Sequence, residues 1–256
     1  MRIALMVAAA LLGLLIALIG FAPASMADWG LQRVSNGRLA LAEADGTVWN
    51  GSARLVLVDI GDRSRHAATI AGVAVPGRIN WQVKLLPLAL AIIDARVRVD
   101  GMSEAIQLSG GIGELRISGG QLSLPSVDLG RLGSPWNTIR PSGALSLRWD
   151  GLQLRQGSFT GRADMELRDM ASALTPVKPL GSYRIGIVGE GPQAKLDIVT
   201  LSGPLQLEGN GTWTNRQGVR FTALASAQAE EKDRLQTLLG LIGQRQGDKT
   251  LIRIGA

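Results

Sequence analysis

Cysteine is absent from the 256 residues, and histidine occurs once, at His66. Without a thiol there is no disulfide staple, no thiolate nucleophile and no cysteine ligand, so the core must hold by packing alone. A single histidine also removes the usual zinc sites, which draw several ligands from His, Cys and carboxylates. The one Ser/His/Asp set by residue type is Asp62, Ser64 and His66. These lie side by side in a polar loop, whereas the members of a triad converge from separate elements. Aromatic residues are few, with six Trp, three Phe and one Tyr. Basic residues exceed acidic ones, giving a formal charge of +6, yet they are scattered singly. Arg96 and Arg98, or Arg116 and Arg131, stand among apolar neighbours, the pattern of a solvated sheet face, with contact to lipid headgroups or an acidic protein as the other reading. No Lys/Arg cluster interleaves with aromatics, which excludes nucleic acid as a partner. No carboxylate pair stands out for glycoside cleavage. Gly110-Gly111 and Gly119-Gly120 lack the following helix and lysine of a phosphate cradle and read as turns. No catalytic residue, metal ligand or cofactor site is expected.

What the chain does have is one uninterrupted apolar run, Ile3 to Ala22, with no charge between Arg2 and Asp28. About 20 helical residues span the ~30 Å hydrocarbon core of a bilayer, and in lipid every backbone polar group must be paired within the helix. The run therefore predicts a single transmembrane anchor over residues 1–27, with Ile3, Leu12, Ile19 and Phe21 in the membrane. Its length exceeds the ~7–15 residues of a signal-peptide core. The small residues of Ser25-Met26-Ala27 keep cleavage after Ala27 as the rival reading. Both readings export the remainder. Arg2 and the terminal amine favour an internal N-terminus, and Trp29 falls where an interfacial aromatic would sit. Charges or prolines interrupt every other apolar run, so the chain crosses once.

Residues 28–256 read as one all-β exported domain. The 33 glycines punctuate short runs of alternating hydrophobicity. Asp45-Gly46 and Asn50-Gly51 are hairpin signals, because both residue types tolerate positive φ. Ala53 to Val58 and Arg78 to Lys84 follow, the latter with Ile79, Trp81 and Val83 on one face. Further strands are expected over Ala91–Asp100, Glu114–Ser118, Gly143–Trp149, Ser158–Leu167, Tyr183–Val188, Ala194–Val199, Leu205–Glu208 and Val219–Ala225. Their close spacing points to an antiparallel meander rather than βαβ units. Leu124–Pro141 and Ala171–Gly181 carry prolines and read as loops or edge crossings, with a short helical turn at Ser172-Ala173-Leu174 as the alternative. Near the end, Leu235, Leu238, Leu239 and Ile242 recur at helical spacing over Gln228–Ile242, a short helix whose apolar stripe caps the sheet. Thr250–Ile254 is the last strand. Trp49, Trp81, Trp149 and Trp213 lie on or beside strands and read as sheet-face packing, with partner anchoring as the alternative.

Together, the N-terminal anchor, Gly46-Thr47-Val48-Trp49-Asn50-Gly51-Ser52-Ala53, Ile79-Asn80-Trp81 and the run Leu235 to Gly243 resemble the type II secretion system protein N family. Leu238, Leu239 and Gly243 belong to that last run. Length and order match over nearly the whole chain, the stretch Gly101 to Pro179 by position only. The resemblance implies an accessory inner-membrane component of the machine that moves folded proteins from the periplasm through an outer-membrane secretin. It implies a single-pass protein with a periplasmic domain, no enzymatic activity, and a structural role. Its expected partners are inner-membrane platform subunits or the secretin, and inner-membrane lipid. The matched positions Gly46, Thr47, Trp49, Gly51, Trp81, Leu238, Leu239 and Gly243 carry structural roles in this reading. Two other classes remain. A sheet with one apolar face also suits a lipid-handling module with an apolar groove, and a hydrolase would need His66 to meet a nucleophile and a carboxylate.

Overall fold

Strict alternation over successive runs produces strands with one apolar and one polar face, and tight glycine turns fold each back on the last. The computed structural model describes residues 20–35, 37, 39–58, 72–74, 77–128 and 139–255. Ile3, Leu12, Ile19 and His66 lie outside the described residues, as does most of the expected anchor. Among the described residues, no helix is long and apolar enough to cross a membrane.

Helix α1 (Ser25–Val34) precedes the hairpin of β1 (Leu39–Gly46) and β2 (Asn50–Val58). A short flap, β3 (Gly72–Ala74), adds to the end of β2, and β4 (Ile79–Val83) pairs with its start. A one-turn helix, α2 (Leu85–Ala89), leads into β5 (Ile93–Val99) and β6 (Ile106–Gly111). Next come β7 (Glu114–Ile117) and β8 (Gly120–Asp128), then β9 (Ser142–Trp149) and β10 (Leu152–Arg155). Ile117 faces Leu152 and Gly120 faces Trp149, so these four pieces are two long strands, each broken once. The long strands β11 (Ser158–Ala171), β12 (Gly181–Gly191), β13 (Gln193–Ser202), β14 (Leu205–Thr214) and β15 (Gly218–Ala227) complete the run. A 3-10 turn and α3 (Lys232–Ile242) intervene before the terminal hairpin of β16 (Gln244–Gln246) and β17 (Lys249–Ile254), which pairs with β15. Among the described residues seventeen strands form one sheet, and its main pairings are antiparallel and between neighbours in sequence. The expected meander is what forms.

Cross-strand partners share a face, so the register assigns the whole sheet. Trp81 pairs with Val97, Val97 with Ile106, Leu108 with Ile117, and Ile117 with Leu152. Further along, Leu147 pairs with Met165, Met165 with Ile185, and Ile185 with Ile198. The other face pairs Gln82 with Arg96, Arg148 with Asp164, and Glu166 with Arg184. The apolar face is continuous from β4 to β15, and the charged face is solvated.

Both outer edges are blunted. On β1 the Leu39 N–H donates to Ser35 Oγ at 3.1 Å and the Leu41 N–H to Asp28 Oδ1 at 2.6 Å, so the region around α1 occupies the outward amides. The far edge is a short hairpin carrying Arg245, Lys249 and Arg253, the charged type of edge that resists strand addition. Asp28→Ala strands the Leu41 amide and is expected to cost about 1–3 kcal/mol. The denaturation midpoint of the full chain in detergent checks this, with Asp28→Asn losing less.

Several expectations need correction. Helices α1 and α2 and strands β3, β6, β8, β10 and β16 were not foreseen. The strand expected from Ala91 starts at Ile93, because Leu85–Ala89 coils into a helical turn that Ala91 ends at φ +58°. Strand β8 runs through Pro125 to Asp128, with the register slipping between Leu124 and Val127. That irregularity accommodates a residue without an N–H. Gly110, Gly111 and Gly120 belong to strands rather than turns. Residues 172–180 form the expected loop, and of its two readings Ser172-Ala173-Leu174 takes the turn rather than the helix, with the Leu174 N–H donating to Ser172 Oγ at 3.2 Å. The C-terminal α-helix begins at Lys232, four residues later than expected.

Candidate functional site

The matched residues gather into two places, one at each end of the apolar face. At the first, the turn Thr47–Asn50 closes on itself. The Thr47 N–H donates to Asn50 O at 2.9 Å, and the Asn50 N–H donates to Thr47 Oγ1 at 3.0 Å. The indole of Trp81 lies across this turn, its Nε1 donating to Val48 O at 3.0 Å and to Thr47 O at 3.2 Å. Gly51 makes that possible, since a Cβ there would stand 2.5 Å from Trp81 Cζ2. Gly46, at φ +85°, accepts from the Ala24 N–H at 3.1 Å. The carbonyl of Trp49 accepts from the Val83 N–H at 2.7 Å. Gly46, Thr47, Trp49, Gly51 and Trp81 thus form a clasp that holds the N-terminal segment against the sheet. Ala24, Ala53 and Trp81 are its buried centre, with Leu41, Ile79 and Val97 packed around them.

Trp29 and Phe21 lie on its rim and are exposed. The Arg33 guanidinium sits 5.6 Å over the Trp29 ring.

At the other end, α3 lays Leu235 and Leu238 into the sheet, where they are 0% and 2% exposed. Val177, Leu180 and Leu205 complete this cluster, and Leu239 packs at its margin. Thr175 fixes the loop to the helix by donating to Arg234 O at 3.2 Å. Gly243 ends α3 in an extended conformation, and a Cβ there would collide with the Leu251 carbonyl.

One feature escaped sequence reasoning. Trp149 repeats the Trp81 arrangement in the stretch matched by position only. Its Nε1 donates to Ser118 O at 2.8 Å, and a Cβ on the facing Gly120 would stand 2.5 Å from its Cζ2. A glycine directly across a strand from a tryptophan is the shared signal, but it becomes visible only once the register is known.

Between the caps the apolar face is concave. Ile93, Leu115, Leu154, Phe159 and Trp213, from strands far apart in the sheet, line one cavity of about 460 Å³. Leu108, Ile117, Leu147 and Ile185 along the face are half-buried. The outer face is laced with ion pairs. Glu166 meets Arg168 at 2.7 Å and Arg184 at 3.3 Å. The hydrogen bond from Arg168, seconded by Arg184, holds the Glu166 carboxyl below the usual carboxylate range. Arg155 and Arg116 do the same for Glu114. A depressed folded-state pKa adds stability above the ordinary carboxylate range and loses it as pH falls through the lowered value. The gap in stability between the natural chain and Glu166→Gln is therefore expected to be small, to close on acidification and to narrow with added salt. Urea titrations across pH check this.

Burial alone pushes the Tyr183 phenol up, and its hydroxyl donates to Leu205 O at 3.0 Å. That makes it a packing group. Among the described residues, no cluster of three or more His, Cys, Asp or Glu is placed to hold a metal.

This geometry offers apolar surface, fixed ends and no reactive constellation among the described residues. No curated protein and no solved structure matches the chain. A family model, Type II secretion system (T2SS), protein N, matches residues 37–252. That span takes in both the clasp and the α3 cap, and the chain belongs to the type II secretion system protein N family.

Proposed function

We propose that this protein is a single-pass inner-membrane component of type II secretion whose β domain stands in the periplasm and links other subunits of the machine. Its coarser role is that of the family, an accessory component of protein transport by type II secretion, working with other components of the bacterial envelope. The match over residues 37–252 is the observation that carries the reading. The apolar run Ile3–Ala22 supports the anchor, and the clasp supports a fixed joint between anchor and domain. The role is structural rather than enzymatic. Partner contact runs through faces and hairpin ends, because both sheet edges are occupied or charged.

Deleting the chain from a secreting strain tests this. Folded exoprotein is expected to accumulate in the periplasm while general export across the inner membrane continues. A general export defect, or undiminished secretion, overturns the role. Alkaline phosphatase fused after Ala256 is expected to be active, and inactivity overturns the topology.

The lipid-handling reading gains nothing from the family match, and one observation favours it. The inner face is concave, with α1 and α3 over its two ends. Native mass spectrometry of the purified full chain separates the two readings: a bound acyl lipid favours the groove.

A further inference from the structure

Strongly exposed apolar side chains gather at one end of the sheet. Leu86 is 86% exposed, Leu90 75% and Ile112 90%, and Leu85, Leu88 and Ile92 are also exposed. Residues 85–93 carry no charge, and none of α2 is buried. The turn bearing Ile112 lies alongside, since a Cβ on Gly111 would stand 3.7 Å from Ala91 O. A core-packing role is excluded by that exposure. A contiguous exposed apolar patch of this kind marks an interaction site.

Two observations identify the occupant. First, the C-terminal half of the segment pairs its own backbone. Leu90 N–H and Ile92 N–H donate to Pro87 O at 3.0 Å and 2.9 Å, and Ala91 N–H donates to Leu88 O at 2.9 Å. Pro87 has no N–H to satisfy. Those three amides are turned inward, away from a strand-adding partner, and internal pairing is what a lipid environment favours. Second, the patch stands where the N-terminal apolar run joins the domain. Val48 N–H donates to Ala22 O at 2.9 Å, and Val83 N–H donates to Trp49 O at 2.7 Å. Leu85 follows Val83 by two residues. The run Ile3–Ala22 thus ends beside Leu85–Ile93, with exposed Phe21 at the same place. At the base of the patch, Lys84 and Asp94 pair at 2.6 Å, charged groups of the kind that stay at headgroup level when neighbouring apolar side chains enter lipid.

We propose that Leu85–Ile93 and the Ile112 turn seat in the lipid surface beside the anchor and hold this end of the sheet against the bilayer. The inference rests on the reading of Ile3–Ala22 as a membrane-crossing segment.

The chain lacks cysteine, so single-cysteine variants accept one probe each. Full-length Leu86→Cys, Ile112→Cys, Phe21→Cys and Ser103→Cys are labelled with an environment-sensitive nitrobenzoxadiazole dye. They are then reconstituted in phosphatidylethanolamine/phosphatidylglycerol vesicles with and without doxyl-labelled lipid. Ser103 lies in the turn at the opposite end of β5 and is the solvent control. The expected result is blue-shifted emission lost to doxyl lipid at positions 86, 112 and 21, with position 103 unaffected. Quenching at 21 without quenching at 86 and 112 overturns the proposal and leaves the anchor standing. Quenching at 86 and 112 without 21 upholds lipid contact and overturns the anchor. A blue shift at 86 that doxyl lipid does not quench means a second copy covers the patch, and it overturns the proposal.

Discussion

Trp81→Ala is expected to destabilise the domain by about 3–5 kcal/mol, the range for removing a buried large aromatic. Trp81 is 8% exposed and sits at the centre of the first cluster, between Ala24 on the N-terminal side and Ala53 on β2. Truncation empties the space that Gly51 was kept bare to provide. It also removes the indole N–H from the Thr47 and Val48 carbonyls. Trp81→Phe separates these contributions, keeping most of the apolar area while losing the donor, and is expected to cost about 1–2 kcal/mol. Both values come from denaturant midpoints of the full chain in detergent, followed by circular dichroism. Near-native stability of Trp81→Ala would mean the clasp does not hold the N-terminal segment.

Leu235→Ala is the second large effect, at about 2–5 kcal/mol for a leucine with no exposed surface. Helix α3 has only 11 residues, and helices of that length are marginal in water unless a packed face supports them. Leu238 fills the same cluster, so Leu235→Ala combined with Leu238→Ala is expected to cost other than the sum of the two. Leu241→Ala is the control, because Leu241 is 56% exposed, and it is expected to change stability by under about 0.5 kcal/mol. Limited proteolysis should cut within α3 in the Leu235 variant before the sheet unfolds. Cleavage at equal rates in the two variants would show that the helix does not depend on this seat.

The candidate site was legible in parts. Leu235, Leu238 and Leu239 advertised themselves by helical spacing, and the structure seats them as a cap on the sheet. The glycine and tryptophan of the first hairpin were visible as a motif. Their joint purpose was not, because Gly51 and Trp81 are brought face to face only by the pairing of β2 with β4. Trp149 over Gly120 failed to register for the same reason. Helix α2 was hidden because Leu85–Ala89 is too short to show a period, and Pro87 reads as a breaker from sequence. Pro125 misled in the opposite direction, since a bulge let the strand continue past it.

By itself the sequence determined that the domain would be an antiparallel meander with a greasy and a wet face. Period-two alternation and glycine turns are local properties, and neighbouring strands pair before distant ones. It also determined the family, through motifs that span both ends of the chain. Only the tertiary structure decided that the greasy face curls inward, that α1 and α3 close its two ends, and that Leu85–Ile93 and Ile112 meet where the N-terminal run joins the sheet. Those outcomes depend on cumulative register, twist and the juxtaposition of turns far apart in the chain. No window of sequence contains them.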